Sequence, residues 1–133
     1  MTEENKFGVA VKAMIEKDGK ILLIHKSENE DINPKTIDIP GGRVEFGEDI
    51  EKALIREIKE ETNLDVEIRK PTNIWSFLHK ENFQLVGITF LCKYVSGEIN
   101  LSGEHEHFIW VDKNEVNPEK FPSWLVKEFK KLD

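Results

Sequence analysis

Between Phe7 and Ile15, apolar residues take every second position: Phe7, Val9, Val11, Ala13 and Ile15, with Gly8, Ala10, Lys12 and Met14 between them. A period of two predicts a β-strand. Asp18-Gly19 separates this run from "ILLIHK" (Ile21–Lys26) and predicts a hairpin, because a type I′ turn needs positive φ at both central residues. The polar run Ser27 to Lys35 predicts a loop. From Asp49 to Thr62 the period lengthens. Ile50, Ala53, Leu54 and Ile58 form an apolar stripe, and Glu48, Asp49 and Glu51 favour a helix N-terminus there. Strand-like runs follow at Val66–Arg69, Ile74–Leu78, Phe83–Tyr94 and Phe108–Val111, punctuated by Ser96-Gly97 and Ser102-Gly103. Ser123 is placed to cap a short final helix in which Leu125, Phe129 and Leu132 share a face. Strands around one central helix, with a second helix at the end, predict a single α/β (α+β) domain over residues 1–133. Its architecture is a mixed sheet covered by helices.

Composition narrows the partners. A chain of 133 residues can build a core without disulfide or metal staples. A net charge of −7 argues against non-specific nucleic-acid binding, which needs a basic footprint. It leaves room for a small phosphorylated substrate, since a bound divalent cation inverts the charge of a site. Cys92 lies in the apolar run Phe90-Leu91-Cys92 and is expected to be a buried, inert thiol. A single cysteine allows no disulfide within the chain, which suits a reducing compartment. The opening "MTEENKFG" is acidic and polar, unlike a signal peptide, and no apolar run approaches the length of a membrane span. The expected location is cytoplasmic, with no membrane partner.

The stretch "REIKEETNL" (Arg56–Leu64) carries the candidate chemistry. On a helix, Glu57, Glu60 and Glu61 share one face. Like charges at these spacings cost roughly 0.2–0.5 kcal/mol per pair, and glutamates belong at the other end of a helix. Taken alone, such a face reads as solvated surface. It also fits a hard-cation site, because Mg²⁺ or Mn²⁺ takes oxygen ligands and is held by one or two carboxylates plus substrate phosphates. A glycine-rich loop with Gly41 and Gly42 leads into this helix, and without side chains there a main-chain carbonyl can approach a metal closely.

The longer segment "GRVEFGEDIEKALIREIKEETNL" (residues 42–64) resembles the Nudix box, the signature of the Nudix hydrolase superfamily. That pattern has glycine, five residues, glutamate, seven residues, then Arg-Glu-aliphatic-any-Glu-Glu-any-glycine-aliphatic. Gly42, Glu48, Arg56, Glu57, Ile58, Glu60, Glu61 and Leu64 match it. Asn63 stands where the pattern has glycine. Asn is the next most frequent residue after glycine at a left-handed helix stop, so the change leaves helix termination intact. The lead-in "IPGGRVEFGE" is also similar to the family's, and the order of strands and helices suits a Nudix-type α/β/α sandwich with a mixed central sheet.

The resemblance implies Mg²⁺- or Mn²⁺-dependent hydrolysis of the pyrophosphate link in a nucleoside diphosphate joined to another moiety. By position, Glu57, Glu60 and Glu61 become metal ligands, with the Gly42 carbonyl a further one. Glu57 becomes the residue that orients or deprotonates the attacking water, and Arg56 aims it. Glu48 lies nine residues before Glu57, half a turn round an ideal helix. It joins the cluster only if the helix starts after it; a pairing with Arg56 is the favoured alternative. The general base can also lie outside the box, where Glu104 and Glu106 in "SGEHEHFIW" are candidates against a plain surface role. His105 and His107 alternate there and read as structural. Trp75, Phe77 and Phe83 suit either core packing or stacking on a nucleobase. Arg43 suits either a phosphate contact or the surface.

The box does not choose the leaving group. The ADP-ribose type tends to carry a proline about sixteen residues beyond it, where this chain has His79-Lys80-Glu81. The short chain most resembles the small nucleoside-triphosphate-cleaving members. The leading expectation is a pyrophosphohydrolase of nucleoside triphosphates or modified nucleotides, acting as monomer or homodimer. ADP-ribose or another nucleotide sugar is the runner-up substrate. A non-catalytic nucleotide-binding module and a protein-interaction domain with a solvated acidic helix are the rival classes.

Overall fold

The computed structural model describes residues 4–26, 37–102 and 105–132, with the backbone alone for Lys26, His105 and Glu106. The expected loop Ser27–Lys35 lies outside these residues. Strand β1 (Lys6–Lys17) is the spine of a mixed sheet. Along one edge it runs parallel to β6 (Phe83–Ser96), in register from Lys6 opposite Phe83 to Glu16 opposite Lys93. Its other edge is shared. β4 (Gly41–Arg43) pairs antiparallel with Ala10–Lys12, and β2 (Lys20–Lys26) with Glu16 and Lys17. β2 in turn pairs with β7 (His105–Asp112) along its length and with β3 (Ile37–Asp38) near its end. β5 (Asp65–Lys80) pairs with β6 and ends the strand order β3-β2-β1-β6-β5.

The β1–β2 turn has positive φ at both Asp18 (52°) and Gly19 (80°), as its Asp-Gly sequence requires. Alternation along the strands divides the core between two faces. Val11, Ala13, Ile15, Leu22 and Ile24 pack with Ala53, Leu54 and Ile58 of helix α1 (Ile50–Thr62). Met14, Ile21 and Leu23 turn the other way, onto Leu125 and Phe129 of helix α2 (Ser123–Lys130). This is an α/β/α sandwich, and it explains the unbroken "ILLI" of β2: a strand covered on both faces has no polar side to show. Cys92 is fully buried in the α1-side core, and burial pushes its thiol up to about 12. Among the described residues, no helix is long and apolar enough to cross a membrane.

Three features differ from the sequence expectation. Val66–Arg69 and Ile74–Leu78 are one strand, not two. Its register against β6 shifts at Ile68/Lys70 and Pro71/Asn73. Pro71 has no N–H to donate and is tolerated because β5 is an edge strand with irregular pairing. The glycines Gly41 and Gly42 lie in a short strand rather than a loop. Ser123 is not the cap of α2: the helix starts at Ser123 itself, and the Pro122 carbonyl accepts from Leu125 N and Val126 N with no side-chain cap.

Helix α1 is closed at both ends. Asp49 caps its start, its carboxylate accepting from the backbone N–H groups of Glu51 and Lys52 at 3.1 Å. Asn63 stops it in the left-handed region (φ 69°, ψ 9°), donating its own N–H to the Lys59 carbonyl. The Asn63 side-chain amide donates to the Glu98 carbonyl at 3.2 Å. Beyond β6, Asn100 N–H and Ser102 N–H donate to the carbonyls of Thr62 and Glu61, groups that a helix end otherwise leaves unmet. Asn63→Ala is therefore expected to cost about 1–2 kcal/mol in a urea titration, the left-handed penalty of a Cβ residue. Asn63→Gly should stay within about 1 kcal/mol of the parent, losing one hydrogen bond but no backbone strain. Wild-type stability for the alanine variant would show that Asn63 does not set the helix end.

Candidate active site

β4 and α1 meet where neither tolerates a side chain between them. A Cβ built on Gly42 would fall on the carboxylate of Glu57. One residue earlier, Gly41 has φ 151°, and a Cβ there would overlap the Val11 carbonyl. Its N–H donates to Glu61 Oε2 at 3.3 Å. The two glycines thus bring a strand backbone flush against two glutamates of the helix.

Arg56 fixes this contact. Its Nε and Nη2 donate to the two oxygens of Glu48 at 2.7 and 2.9 Å, a bidentate fork. Its Nη1 donates to Glu57 Oε1 at 2.9 Å, and Nη2 also reaches the Arg43 carbonyl on β4 at 3.2 Å. Glu48 lies before the helix, not on it, and Oε1 accepts from Glu45 N–H as well. The Arg56 hydrogen bonds and that backbone N–H hold the Glu48 carboxyl down at about 2, while Glu48 and then Glu57 raise Arg56 above its ordinary value. Glu60 stands outside the packed pair. Its side chain is 60% exposed, with Arg56 Nη1 at 3.4 Å.

Glu61 is the buried member, 8% exposed. Burial pushes its carboxyl up to about 8; Glu57 and Asp38 push the same way, against Lys12 and the Gly41 N–H. Lys12 projects from β1 and donates to Asp38 Oδ2 at 3.2 Å and the Ile39 carbonyl at 3.2 Å. Burial pulls the Lys12 ammonium down, but Asp38 and then Glu61 outweigh it, and the net shift is upward.

A cleft of about 1010 Å³ adjoins this contact, sharing Gly42 and Arg43 with it. Asn73, Trp75 and Phe77 line it from one face of β5, at the every-second-residue spacing of a strand. Trp75 and Phe77 stack, with centroids 5.9 Å apart and planes 19° from parallel. The indole lies over Gly87, its partner on β6, where a Cβ would fall inside the ring. Trp75 Nε1 donates to Thr89 Oγ1 at 3.1 Å. Trp124 and Glu128 of α2 also line the cleft, Glu128 beside Asn73.

The candidates from sequence are thus sorted by position. Gly42, Arg56, Glu57 and Glu61 converge, with Glu48 paired to Arg56 and Glu60 at the solvent side. Trp75 and Phe77 line the cleft, whereas Phe83 carries the Arg43 guanidinium, 4.7 Å from its ring centroid. Glu104 lies outside the described residues, as does the side chain of Glu106. His107 faces His25 across β2 and β7, ring centroids 6.5 Å apart. Lys12, Asp38, Asn73 and Glu128 were not singled out from sequence. Lys12 was detectable as the one charge within "VAVKAMI"; the other three carry no local signal.

The donor chemistry fits a hard divalent ion. Two carboxylates, one of them raised by its burial and then by neighbouring negative charge, lie against a strand backbone that a side chain would block. Among the described residues no group of three Asp, Glu, His or Cys side chains is arranged to hold a metal ion. Mg²⁺ in general keeps several waters and takes substrate phosphates as ligands beside one or two carboxylates.

Comparison with known proteins points the same way. The NUDIX domain matches residues 5–132. The chain is 34% identical over 109 residues to a Methanocaldococcus jannaschii protein named ADP-ribose pyrophosphatase, a match covering 81% of this chain but only 63% of that one. It is 31% identical over 114 residues to nucleoside triphosphatase NudI of Escherichia fergusonii, covering 77% of this chain and 80% of the relative. Its fold superposes on the crystal structure of a MutT protein from Methanosarcina mazei with a TM-score of 0.84 at 28% identity, over 99% and 96% of the two chains. A strand of paired glycines locked against an Arg-aimed glutamate, on a chain matched almost from end to end, belongs to the Nudix hydrolase family.

Proposed function

We propose that this chain hydrolyses the pyrophosphate linkage of a nucleoside diphosphate derivative with Mg²⁺ or Mn²⁺. The leading substrate is a nucleoside triphosphate or modified nucleotide, cleaved to the monophosphate and pyrophosphate. The observation that carries the reading is the seating of the Glu57 carboxylate on Gly42, beside buried Glu61 and at the border of the cleft. Glu57, Glu60, Glu61 and the Gly42 carbonyl would hold the ion. When bound, such an ion neutralises charge developing on the phosphate oxygens and lowers the pKa of coordinated water.

The protein's own part is positioning. Arg56 grips Glu57 at one oxygen and leaves the other to orient, or take a proton from, the attacking water. Glu48 occupies the remaining arm of the guanidinium, so Arg56 cannot swing away. Arg43, which lines the cleft, would meet a phosphate in this reading. Glu104 remains a candidate general base from its place in the sequence.

ADP-ribose or another nucleotide sugar is the second reading, favoured by the name of the archaeal relative, although the match spans less than two thirds of that protein. Purified protein assayed with Mg²⁺ over nucleoside triphosphates, oxidised nucleotides, sugar nucleotides and dinucleotides separates the two. Cleavage should stop on chelation by EDTA and return with added Mg²⁺. Tight binding of a nucleotide without release of phosphate or pyrophosphate would instead identify a binding module.

Glu57→Gln should lower kcat by about 100-fold or more, the scale of a lost general base, while the thermal midpoint holds or rises as like-charge repulsion is relieved. Loss of folding with activity retained would make the cluster structural. Gly42→Ala tests the seat itself. The added methyl displaces the Glu57 carboxylate, so kcat should fall by roughly 10–100-fold, in the range of displaced ligand support, with the far-ultraviolet circular dichroism unchanged. Unaltered turnover in this variant would rule the contact out of the chemistry.

A further inference from the structure

Beside the aromatic pair, the lining of the cleft holds a carboxylate whose hydrogen bonding is incomplete. Glu128, on α2, is 6% exposed. Its Oε1 accepts from Asn73 Nδ2 at 2.6 Å, while Oε2 is shielded from water and has no hydrogen-bond partner among the described residues. Leaving a buried acceptor unmet is unfavourable, the more so for a charged group, so such an atom calls for a donor. Glu128 lines the cleft, and with Oε1 taken by Asn73, Oε2 is the acceptor left for a donor that enters.

What surrounds Glu128 limits what that donor belongs to. Asn73, Trp75 and Phe77 project from the same face of β5 in a row, so the carboxylate sits at one end of a flat aromatic strip. Gly42 and Arg43 line the same cleft, next to Glu57. A planar ring laid on Trp75 and Phe77 would have Glu128 at the Asn73 end of the strip. An ionised carboxylate only accepts hydrogen bonds. At the point that meets Oε2 it rewards an N–H₂ and repels a keto oxygen.

We propose that Glu128, held by Asn73, is a specificity-determining residue that selects nucleobases bearing an exocyclic amino group over their keto counterparts. The inference rests on the reading of the cleft as a nucleotide site and narrows the substrate class within it.

Matched substrates that exchange an amino group for a keto oxygen test this: CTP with UTP, and ATP with ITP. In wild type, kcat/KM should favour the amino member by about tenfold or more, the worth of one hydrogen bond to a charged group. Glu128→Gln keeps an oxygen for Asn73 and puts an N–H₂ in place of Oε2, so the preference should shrink to about twofold or reverse. Parity within about twofold in both wild-type pairs, or an unchanged preference in the variant, overturns the assignment while leaving the hydrolase reading intact. Absence of both cleavage and binding for all four nucleotides overturns the assignment together with the nucleoside-triphosphate reading it rests on. Should Glu128→Gln fail to fold, calorimetric binding of CMP against UMP and AMP against IMP to the wild-type protein decides the matter, with equal affinities in both pairs counting against it.

Discussion

One planar cation organises the end of this protein where the glycine strand meets α1. The Arg56 guanidinium takes Glu48 from the segment before α1, Glu57 from within it, and the Arg43 carbonyl from β4. These pieces come from different elements, and the acidic ones would otherwise repel. A lysine could offer the charge but not the fork, since an ammonium is a point donor and the guanidinium a rigid one. The arginine therefore does two things at once: it offsets the crowding of carboxylates and fixes which oxygen of Glu57 remains free.

The sheet supplies the frame on which that interaction acts. β1 is covered on both faces, with Val11, Ala13 and Ile15 under α1 and Met14 toward α2. Its free edge near Ala10–Lys12 is where β4 docks, and this places the glycine pair against the helix. Lys12 enters the same neighbourhood from β1 itself and brings a compensating positive charge to the buried Glu61, against the negative charge of Asp38. Helix α1 is thus pinned at its start by Asp49, at its middle by Arg56 and at its end by the residues that follow β6.

Much of this was legible from the letters because the relevant spacings are local. Asp18-Gly19 specifies its turn by backbone sterics alone, and the apolar stripe of α1 follows its helical period. Asn63 reads correctly as a left-handed stop, and the favoured pairing of Glu48 with Arg56 is present even though Glu48 precedes the helix. Features decided by distant neighbours were less legible. β5 reads as two runs because Pro71 interrupts the pattern, and only the position of the strand at the sheet edge makes one bulged strand possible. The glycine pair reads as a loop until β1 is seen to offer it an edge. Ser123 has the chemistry of a cap but lies one residue too far along. Asn73 and Glu128 are 55 residues apart, and nothing in either neighbourhood announces the other.

The seating of Trp75 over Gly87 has a consequence for how this protein can change over time. The indole occupies the volume that any side chain at position 87 would need, and it covers the strip of β6 backbone that a smaller residue at 75 would expose. Neither position is free to drift alone. A lineage that remodels this wall of the cleft has to alter both together, which makes the pair a single heritable unit, and its joint replacement the mark of a change in what the cleft accepts.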